Sequence, residues 1–167
     1  KAGIGYLIEG SVAKHVKVKL KHSIKKSFIS TEKDLVKKCS FMISIGGDGT
    51  FLATAKLVGS RNIPIIGVNL GKLGFLAETS TRDILGFVKK VVKGDYKIDE
   101  RTILEATSVG EGRQKTIYAM NEMVINQSEI VKTIEIGVYF NNQLVNRYHA
   151  DGIIIATPTG STGYSLS

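Results

Sequence analysis

The sequence of 167 residues lacks the features that mark secreted and membrane proteins. It contains a single cysteine, Cys39, so no disulfide framework can form within the chain, as is typical of proteins from a reducing compartment. No apolar run approaches the roughly 18 residues that a membrane-spanning helix needs. No signal-peptide pattern opens the chain. We therefore expect a cytoplasmic protein that has no membrane partner.

The motifs of several common binding sites are also missing. No cysteine and histidine cluster has the spacing of a metal site, so we expect no tightly bound protein metal site. The lysine after Gly71 is not followed by serine or threonine, as a Walker A motif requires. Gly3 and Gly5 lack the third glycine of the dinucleotide fingerprint. Two familiar nucleotide-binding loops are thereby excluded.

Acidic residues are scarce in the first part of the chain. Residues 1–40 hold ten lysines and three acidic residues, and the whole chain carries a net charge of +8. Such a balance suits an anionic partner such as a nucleotide, a nucleic acid or a membrane. However, no aromatic residues interleave these lysines to stack on bases. We interpret the lysines as solvated helix faces and expect no nucleic-acid partner.

Hydrophobic residues make up 43% of the chain, enough for an ordinary core, and their pattern changes along it. In residues 1–97, short apolar runs typical of strands alternate with segments of helical spacing. This alternation predicts an α/β domain built on a Rossmann-like parallel sheet. In residues 98–167, strand patterns follow one another, which predicts a second, mostly β domain.

The individual elements are predicted from apolar spacing and from the residues that cap helices and turns. Strands of the first domain are expected at Ile4–Ile8, Phe28-Ile29, Phe41–Ile45 (a buried strand) and Ile63–Val68. Helices are expected after caps at Ser11, Ser30 and Thr81 and from Gly49 to Val58. Strands of the second domain are expected at Tyr96–Val109, Thr116–Asn126, Thr133–Phe140, Leu144–Tyr148 and Ile153–Ala156, with a hairpin turn at Asn141-Asn142 and a helix beginning near Tyr164.

The most informative stretch is Gly46-Gly47-Asp48-Gly49-Thr50, which joins a predicted strand to a predicted helix. Exposed N–H groups of a glycine turn and the positive end of a helix dipole form an anion site. A carboxylate among phosphates is costly unless it holds a metal ion or takes a proton from an attacking hydroxyl. The alternative is that Asp48 simply caps the helix. The stretch alone leaves both interpretations open.

Two further polar groups accompany this turn in the sequence. Asn121-Glu122 lies within an otherwise apolar predicted strand, where it either faces water at a rim or binds the base and sugar hydroxyls of a ligand. After Asp151-Gly152, the hydroxyl-rich stretch from Thr157 to Ser165 either holds a polar ligand or caps a helix. The glycine-containing loop Asn69–Leu76 is unspecific, and we expect Phe75-Leu76 to anchor it to the core.

Together, these motifs resemble the NAD kinase (ATP-NAD kinase) family. The matching motifs are Gly46-Gly47-Asp48-Gly49-Thr50, Asn69–Leu76, Asn121-Glu122, and Asp151-Gly152 followed by Thr157-Pro158-Thr159-Gly160-Ser161-Thr162. They occur in the order and spacing that the family shows. The first motif is shared with diacylglycerol and sphingosine lipid kinases, whereas the last is much more specific.

The resemblance implies transfer of the γ-phosphoryl group of ATP, or of polyphosphate, to the 2′-hydroxyl of the adenosine ribose of NAD. It implies that Asp48 accepts or orients the hydroxyl proton, with Mg²⁺ screening the phosphates. The other implied residues are Gly46, Gly47, Gly49 and Thr50 at the phosphates; Asn121, Thr162 and Ser167 at the adenine; Glu122 at the ribose; and Asp151, Thr159 and Tyr164 toward the nicotinamide. Gly49 and Gly163 are also implied to bind NAD. The family forms homodimers or homotetramers.

The chain departs from the family pattern in two places. Gly163 stands where alanine is usual, which should affect only the width of the NAD pocket. The family's β-sandwich domain also continues beyond the position that matches Ser167. We therefore expect a longer natural protein and an incomplete sandwich that is poorly stable or inactive by itself. The alternative functions are a lipid kinase that shares the glycine turn and a non-catalytic nucleotide-binding module.

Overall fold

The computed structural model describes residues 5–14, 28–71, 74–77, 79–110, 112, 114–128 and 133–167. The described residues form two compact units, one that ends at Ile98 and one that begins at Asp99. No helix in the described part of the chain is long and apolar enough to cross a membrane. The two units are considered separately.

The first unit contains helices and parallel strands in alternation, as the sequence predicts. Its elements are β1 (Ile8–Glu9), α1 (of which residues 10–14 are described), β2 (Ile29–Ser30), α2 (Glu32–Lys38), β3 (Met42–Ile45), α3 (Asp48–Val58), β4 (Ile65–Asn69), β5 (Thr79–Ser80) and α4 (Ile84–Val92). Strands β3, β4 and β5 form a parallel sheet in that order, and β1 pairs in parallel with β2. The α/β class is confirmed.

The unit β3–α3–β4 positions the glycine turn. Ile45 of β3 is in register with Val68 of β4, which is almost fully buried. The prediction that β3 is a buried strand holds for one face only: Ser44 is 5% exposed, whereas Ile45 is 52% exposed. The buried hydroxyl of Ser44 is satisfied because the hydroxyl of Thr54 in α3 donates to it at 3.0 Å.

The first strand and helix begin differently from the prediction. Strand β1 starts at Ile8 rather than at Ile4, which lies outside the described residues. The carboxylate of Glu9, not the hydroxyl of Ser11, caps α1 by accepting the N–H groups of Ser11 and Val12 at 2.8 and 3.2 Å. The Ser11 hydroxyl also donates to this carboxylate, and these hydrogen bonds lower the pKa of Glu9.

Two other helices have caps one or two residues away from those predicted. Thr31 rather than Ser30 caps α2, since its hydroxyl oxygen accepts the N–H of Asp34 at 3.2 Å. Asp83 rather than Thr81 occupies the N-cap position of α4. Several hydroxyl and carboxylate residues lie near each helix start, and only the backbone geometry selects among them.

The second unit is mostly β, which confirms the predicted class. Its elements are β6 (Leu104–Ser108), β7 (Lys115–Ala119), β8 (Glu122–Asn126), β9 (Ile134–Phe140), β10 (Gln143–Ala150), β11 (Gly152–Ala156) and the 3₁₀ helices Gly160–Thr162 and Tyr164–Leu166. The antiparallel pairs are β6–β7, β8–β11 and β9–β10. The predicted helix near Tyr164 is thus a short 3₁₀ turn, and the strand predicted from Tyr96 begins only at Leu104.

The hairpin turn at Asn141-Asn142 is confirmed. Both residues have positive φ angles, 49° and 64°, and they connect paired residues Phe140 and Gln143. A two-residue hairpin needs this left-handed backbone, which asparagine tolerates better than other residues with a side chain.

The continuous strand predicted at Thr116–Asn126 is wrong, because it breaks at Met120-Asn121. On one side of the break β7 pairs with β6, and on the other side β8 pairs with β11. The chain therefore changes its strand partner at this point, which an apolar pattern cannot reveal. The break places Asn121 directly before a strand and Glu122 at its first position, rather than both within one strand.

Thr157 holds this break together. Its side chain is only 2% exposed, and its hydroxyl donates to the Met120 carbonyl oxygen at 2.5 Å and accepts the Gly160 N–H at 3.1 Å. Its backbone N–H donates to the Asn121 carbonyl oxygen at 2.8 Å. Gly160 must be a glycine, because a Cβ atom there would lie 2.2 Å from the same Asn121 oxygen.

We predict that Thr157→Val lowers the free energy of unfolding of the full-length protein by about 1–3 kcal/mol, because two backbone groups lose their hydrogen-bond partner. Thr157→Ser is the control, since it keeps the hydroxyl, and it should cost clearly less. Urea unfolding of the three proteins measures the difference. An equal loss in both variants would show that packing of the methyl group, not the hydroxyl, stabilises the break.

Candidate functional site

The glycine turn begins directly after β3, at the carboxyl end of the parallel sheet. The Gly46 N–H continues the pairing with β4 by donating to the Val68 carbonyl oxygen at 2.9 Å. Gly47 is the N-cap of α3, and its carbonyl oxygen accepts the N–H groups of Thr50 and Phe51 at 3.0 and 3.2 Å. Asp48 is therefore the first residue inside the helix, so the interpretation of Asp48 as its cap is wrong.

The carboxylate of Asp48 is held by a different loop. Its Oδ2 accepts the backbone N–H of Phe75 at 3.0 Å, and its Oδ1 accepts that of Leu76 at 3.1 Å. This loop follows β4, whose last residue is Asn69. Asp48, which follows β3, and Asn69, the last residue of β4, thus lie at the carboxyl ends of two adjacent parallel strands, as predicted, and ligands of such sheets gather at this edge.

The loop after β4 is anchored by its backbone. Phe75 is 93% exposed, so the prediction that its side chain anchors the loop to the core is wrong. The two N–H groups that bind Asp48 and the fully buried Ala77 provide the anchor instead. The amide oxygen of Asn69 accepts the Gly71 N–H at 2.7 Å, which tightens the turn at the start of the loop.

In the second unit, Asn121 and Glu122 carry buried acceptors. Among the described residues, Asn121 Oδ1 and Glu122 Oε2 have no hydrogen-bond partner although both atoms are inaccessible to solvent. The interpretation that these oxygens face water at a rim is therefore wrong. An unsatisfied buried polar atom costs about 1–3 kcal/mol. Such atoms are best explained by a donor from a ligand or from another part of the protein.

Asp151 is hydrogen-bonded to Gln127, which belongs to none of the predicted site motifs. The Gln127 side chain donates to Asp151 Oδ1 at 3.3 Å, and the Gln127 N–H donates to the Asp151 carbonyl oxygen at 2.9 Å. Gln127 Oε1 is a third buried acceptor without a partner in the described part of the chain. No spacing rule marks Gln127, because the pairing of β8 with β11 creates this contact.

The hydroxyl-rich stretch forms a compact turn that leaves several candidate residues at the surface. Thr159 precedes the first 3₁₀ helix and accepts a hydrogen bond from Arg101 at 3.5 Å. Thr162 ends that helix, Gly163 separates the two, and Tyr164 is 61% exposed. The Ser167 hydroxyl donates to the Gly163 carbonyl oxygen at 3.4 Å.

Metal ligands are not clustered in the part of the chain that the structure describes. No group of three or more histidine, cysteine, aspartate or glutamate side chains there could hold a metal ion. The carboxylate of Asp48 instead has one hydrogen bond on each oxygen.

Two family models match the chain. The model of the ATP-NAD kinase N-terminal domain matches residues 8–96, and that of the C-terminal domain matches residues 120–167. Among solved structures, the chain is similar to yeast NADH kinase complexed with NADH, with a TM-score of 0.82 and 24% identity. That match covers 98% of this chain and 51% of the yeast chain, and it supports the α/β and mostly β classes of the two units.

Curated relatives extend the comparison. The NAD kinase of Sulfurimonas denitrificans is 40% identical over 135 residues, which cover 81% of this chain and 48% of the relative. The NAD kinase of Geotalea daltonii is 36% identical over 170 residues, which cover 99% of this chain and 56% of that relative. The bifunctional NADP phosphatase/NAD kinase of Methanocaldococcus jannaschii is 47% identical over 129 residues, which cover 77% of this chain and 22% of that relative.

The chain spans about half the length of the first two of these relatives. Its matches nevertheless include both family models, and the first of them alone covers more than half of the chain. The glycine turn with its aspartate lies in the first matched region, and Asn121, Glu122 and Asp151 lie in the second. The chain therefore belongs to the ATP-NAD kinase family.

Proposed function

We propose that the protein is an NAD kinase, which transfers the γ-phosphoryl group of ATP, or a phosphoryl group of polyphosphate, to the 2′-hydroxyl of the adenosine ribose of NAD. The observation that carries the proposal is the Asp48 carboxylate, fixed at the start of α3 beyond the carboxyl edge of the sheet, in a chain of the ATP-NAD kinase family. Phosphoryl transfer depends mainly on positioning and charge stabilisation, which such a turn provides.

In this proposal the glycine turn binds the donor phosphates. Gly46, Gly47, Gly49 and Thr50 surround Asp48 at the start of α3, where the positive end of the helix dipole favours an anion. Asp48 accepts or orients the proton of the 2′-hydroxyl as the phosphoryl group arrives. Mg²⁺ bound with ATP would neutralise phosphate charge, and no cluster of metal-ligating side chains occurs among the described residues.

The second unit supplies the residues that bind NAD. The buried free acceptors of Asn121 and Glu122 suit the adenine amino group and a ribose hydroxyl, both of which are hydrogen-bond donors. Thr162 and Ser167 line the adenine pocket, and Gly163 widens the NAD pocket. Asp151, Thr159 and Tyr164 lie toward the nicotinamide half. The exposed ring of Tyr164 offers a stacking face.

The finer features of the fold belong to the same proposal. We propose a Rossmann-like domain over residues 1–97 and the first part of a β-sandwich over residues 98–167. The parallel order β3–β4–β5 supports the former, and the three antiparallel pairs of the second unit support the latter. We further propose that the enzyme is a cytoplasmic homodimer or homotetramer, as the family resemblance implies.

We predict that Asp48→Asn lowers kcat about 10²–10⁴-fold, the usual contribution of a positioned general base. The dissociation constant for NAD should change little, because NAD is held mainly by the second unit. Turnover is measured with NAD, ATP and Mg²⁺ and enzymatic detection of NADP, and binding is measured by calorimetry. A loss of turnover below tenfold would show that Asp48 is not the base.

We predict that Asn121→Ala raises the KM for NAD about tenfold or more, since a donor of the ligand loses its buried acceptor. Asn126→Ala is the matched control, because Asn126 is an exposed amide at the far end of β8, the strand that begins directly after Asn121, and the KM of this variant should stay near that of the wild type. A lipid or other small-alcohol kinase with the same glycine turn would not depend on Asn121. Unchanged activity of the Asn121→Ala variant would therefore favour that alternative.

A further inference from the structure

The contact between Asp48 and the loop after β4 requires a glycine at position 74. The two N–H groups that bind the carboxylate belong to Phe75 and Leu76, the residues that follow Gly74. A Cβ atom on Gly74 would lie 2.2 Å from Asp48 Oδ1 and 2.6 Å from its Cγ. Non-bonded atoms do not approach so closely, so any side chain at position 74 would displace the carboxylate from this position.

The two hydrogen bonds fix both the position and the orientation of the Asp48 carboxylate. One N–H binds each oxygen, so the pair restrains rotation of the carboxylate plane as well as its position. A carboxylate has about four lone-pair sites, and the hydrogen bonds from described residues use one on each oxygen. The loop can hold the group while leaving it able to accept a hydrogen bond from an alcohol.

We propose that Gly74 is a positioning residue for Asp48. The missing side chain lets the carboxylate reach both N–H groups of the loop, which hold it in the one orientation in which it serves the acceptor hydroxyl. The inference rests on the proposed function, because it assigns Gly74 a role in the same transfer step. Gly74 acts through Asp48 and not on the substrate itself.

The same loop contains a matched control. Gly71 is another glycine of this loop, but a Cβ atom there would meet no described atom within 4 Å. Gly71→Ala and Gly74→Ala therefore change the conformational freedom of the unfolded loop alike. They differ in whether the new methyl group collides with Asp48.

The contact is tested first without activity, by the melting temperature of the full-length protein in a double-mutant cycle. Gly74→Ala should lower the melting temperature in the wild-type background, and much of this loss should disappear in the Asp48→Ala background, where the colliding atoms are absent. Gly71→Ala should change the melting temperature by the same small amount in the wild-type and Asp48→Ala backgrounds. If Gly74→Ala prevents folding, the double variant should restore it. An equal loss in both backgrounds, or a double variant that also fails to fold, overturns the contact.

Kinetics then test the role of the contact. Gly74→Ala should lower kcat about ten- to hundredfold, because a displacement of about 1 Å in a reacting group can cost about 10²-fold. The KM for NAD should change less than about threefold, and Gly71→Ala should stay within about twofold of the wild type in both parameters. A Gly74→Ala enzyme with wild-type kcat, or with only a raised KM, overturns the positioning role. If the wild-type protein forms no NADP, the proposed function fails, while the melting-temperature cycle still decides the contact.

Discussion

The hydrogen bonds from Phe75 and Leu76 to the Asp48 carboxylate connect the start of α3 to the loop that follows β4. They join two segments that are 27 and 28 residues apart in sequence, at the edge where two parallel strands end. A carboxylate near phosphate groups is repelled by them, and it keeps its position only if the protein holds it. Two backbone N–H groups of the loop provide that restraint.

The second unit uses a comparable arrangement of backbone and buried polar groups. Gly160 lies directly against the Asn121 carbonyl, and the Thr157 hydroxyl closes the strand break on both sides. Asn121, directly before β8, and Glu122, its first residue, are thereby held in place, and each has a buried oxygen without a hydrogen-bond partner among the described residues. In both units a glycine allows a close approach that any side chain would prevent, and the neighbouring polar residue is positioned as a result.

The order and type of most described elements were predictable, because apolar spacing records which face of a helix or strand is buried. The hairpin at Asn141-Asn142 was predictable too, since its backbone conformation is a local property of asparagine. The helix caps could not be predicted in this way: Glu9 caps α1, although Ser11 is an equally suitable residue type. The strand break at Asn121 was missed because it depends on a change of strand partner, which involves residues distant in sequence.

The sequence by itself determined the family and the residue types of the candidate site, since the glycine turn and the hydroxyl-rich stretch are contiguous motifs that can be recognised without coordinates. The tertiary structure alone decided what holds those residues. Asp48 does not cap α3; instead, its carboxylate accepts two hydrogen bonds from a separate loop. Phe75 anchors this loop through its backbone N–H and not through its exposed side chain. The reason is physical: motifs record local chemistry, whereas hydrogen bonds between distant segments form only when the folded sheet brings their backbones together.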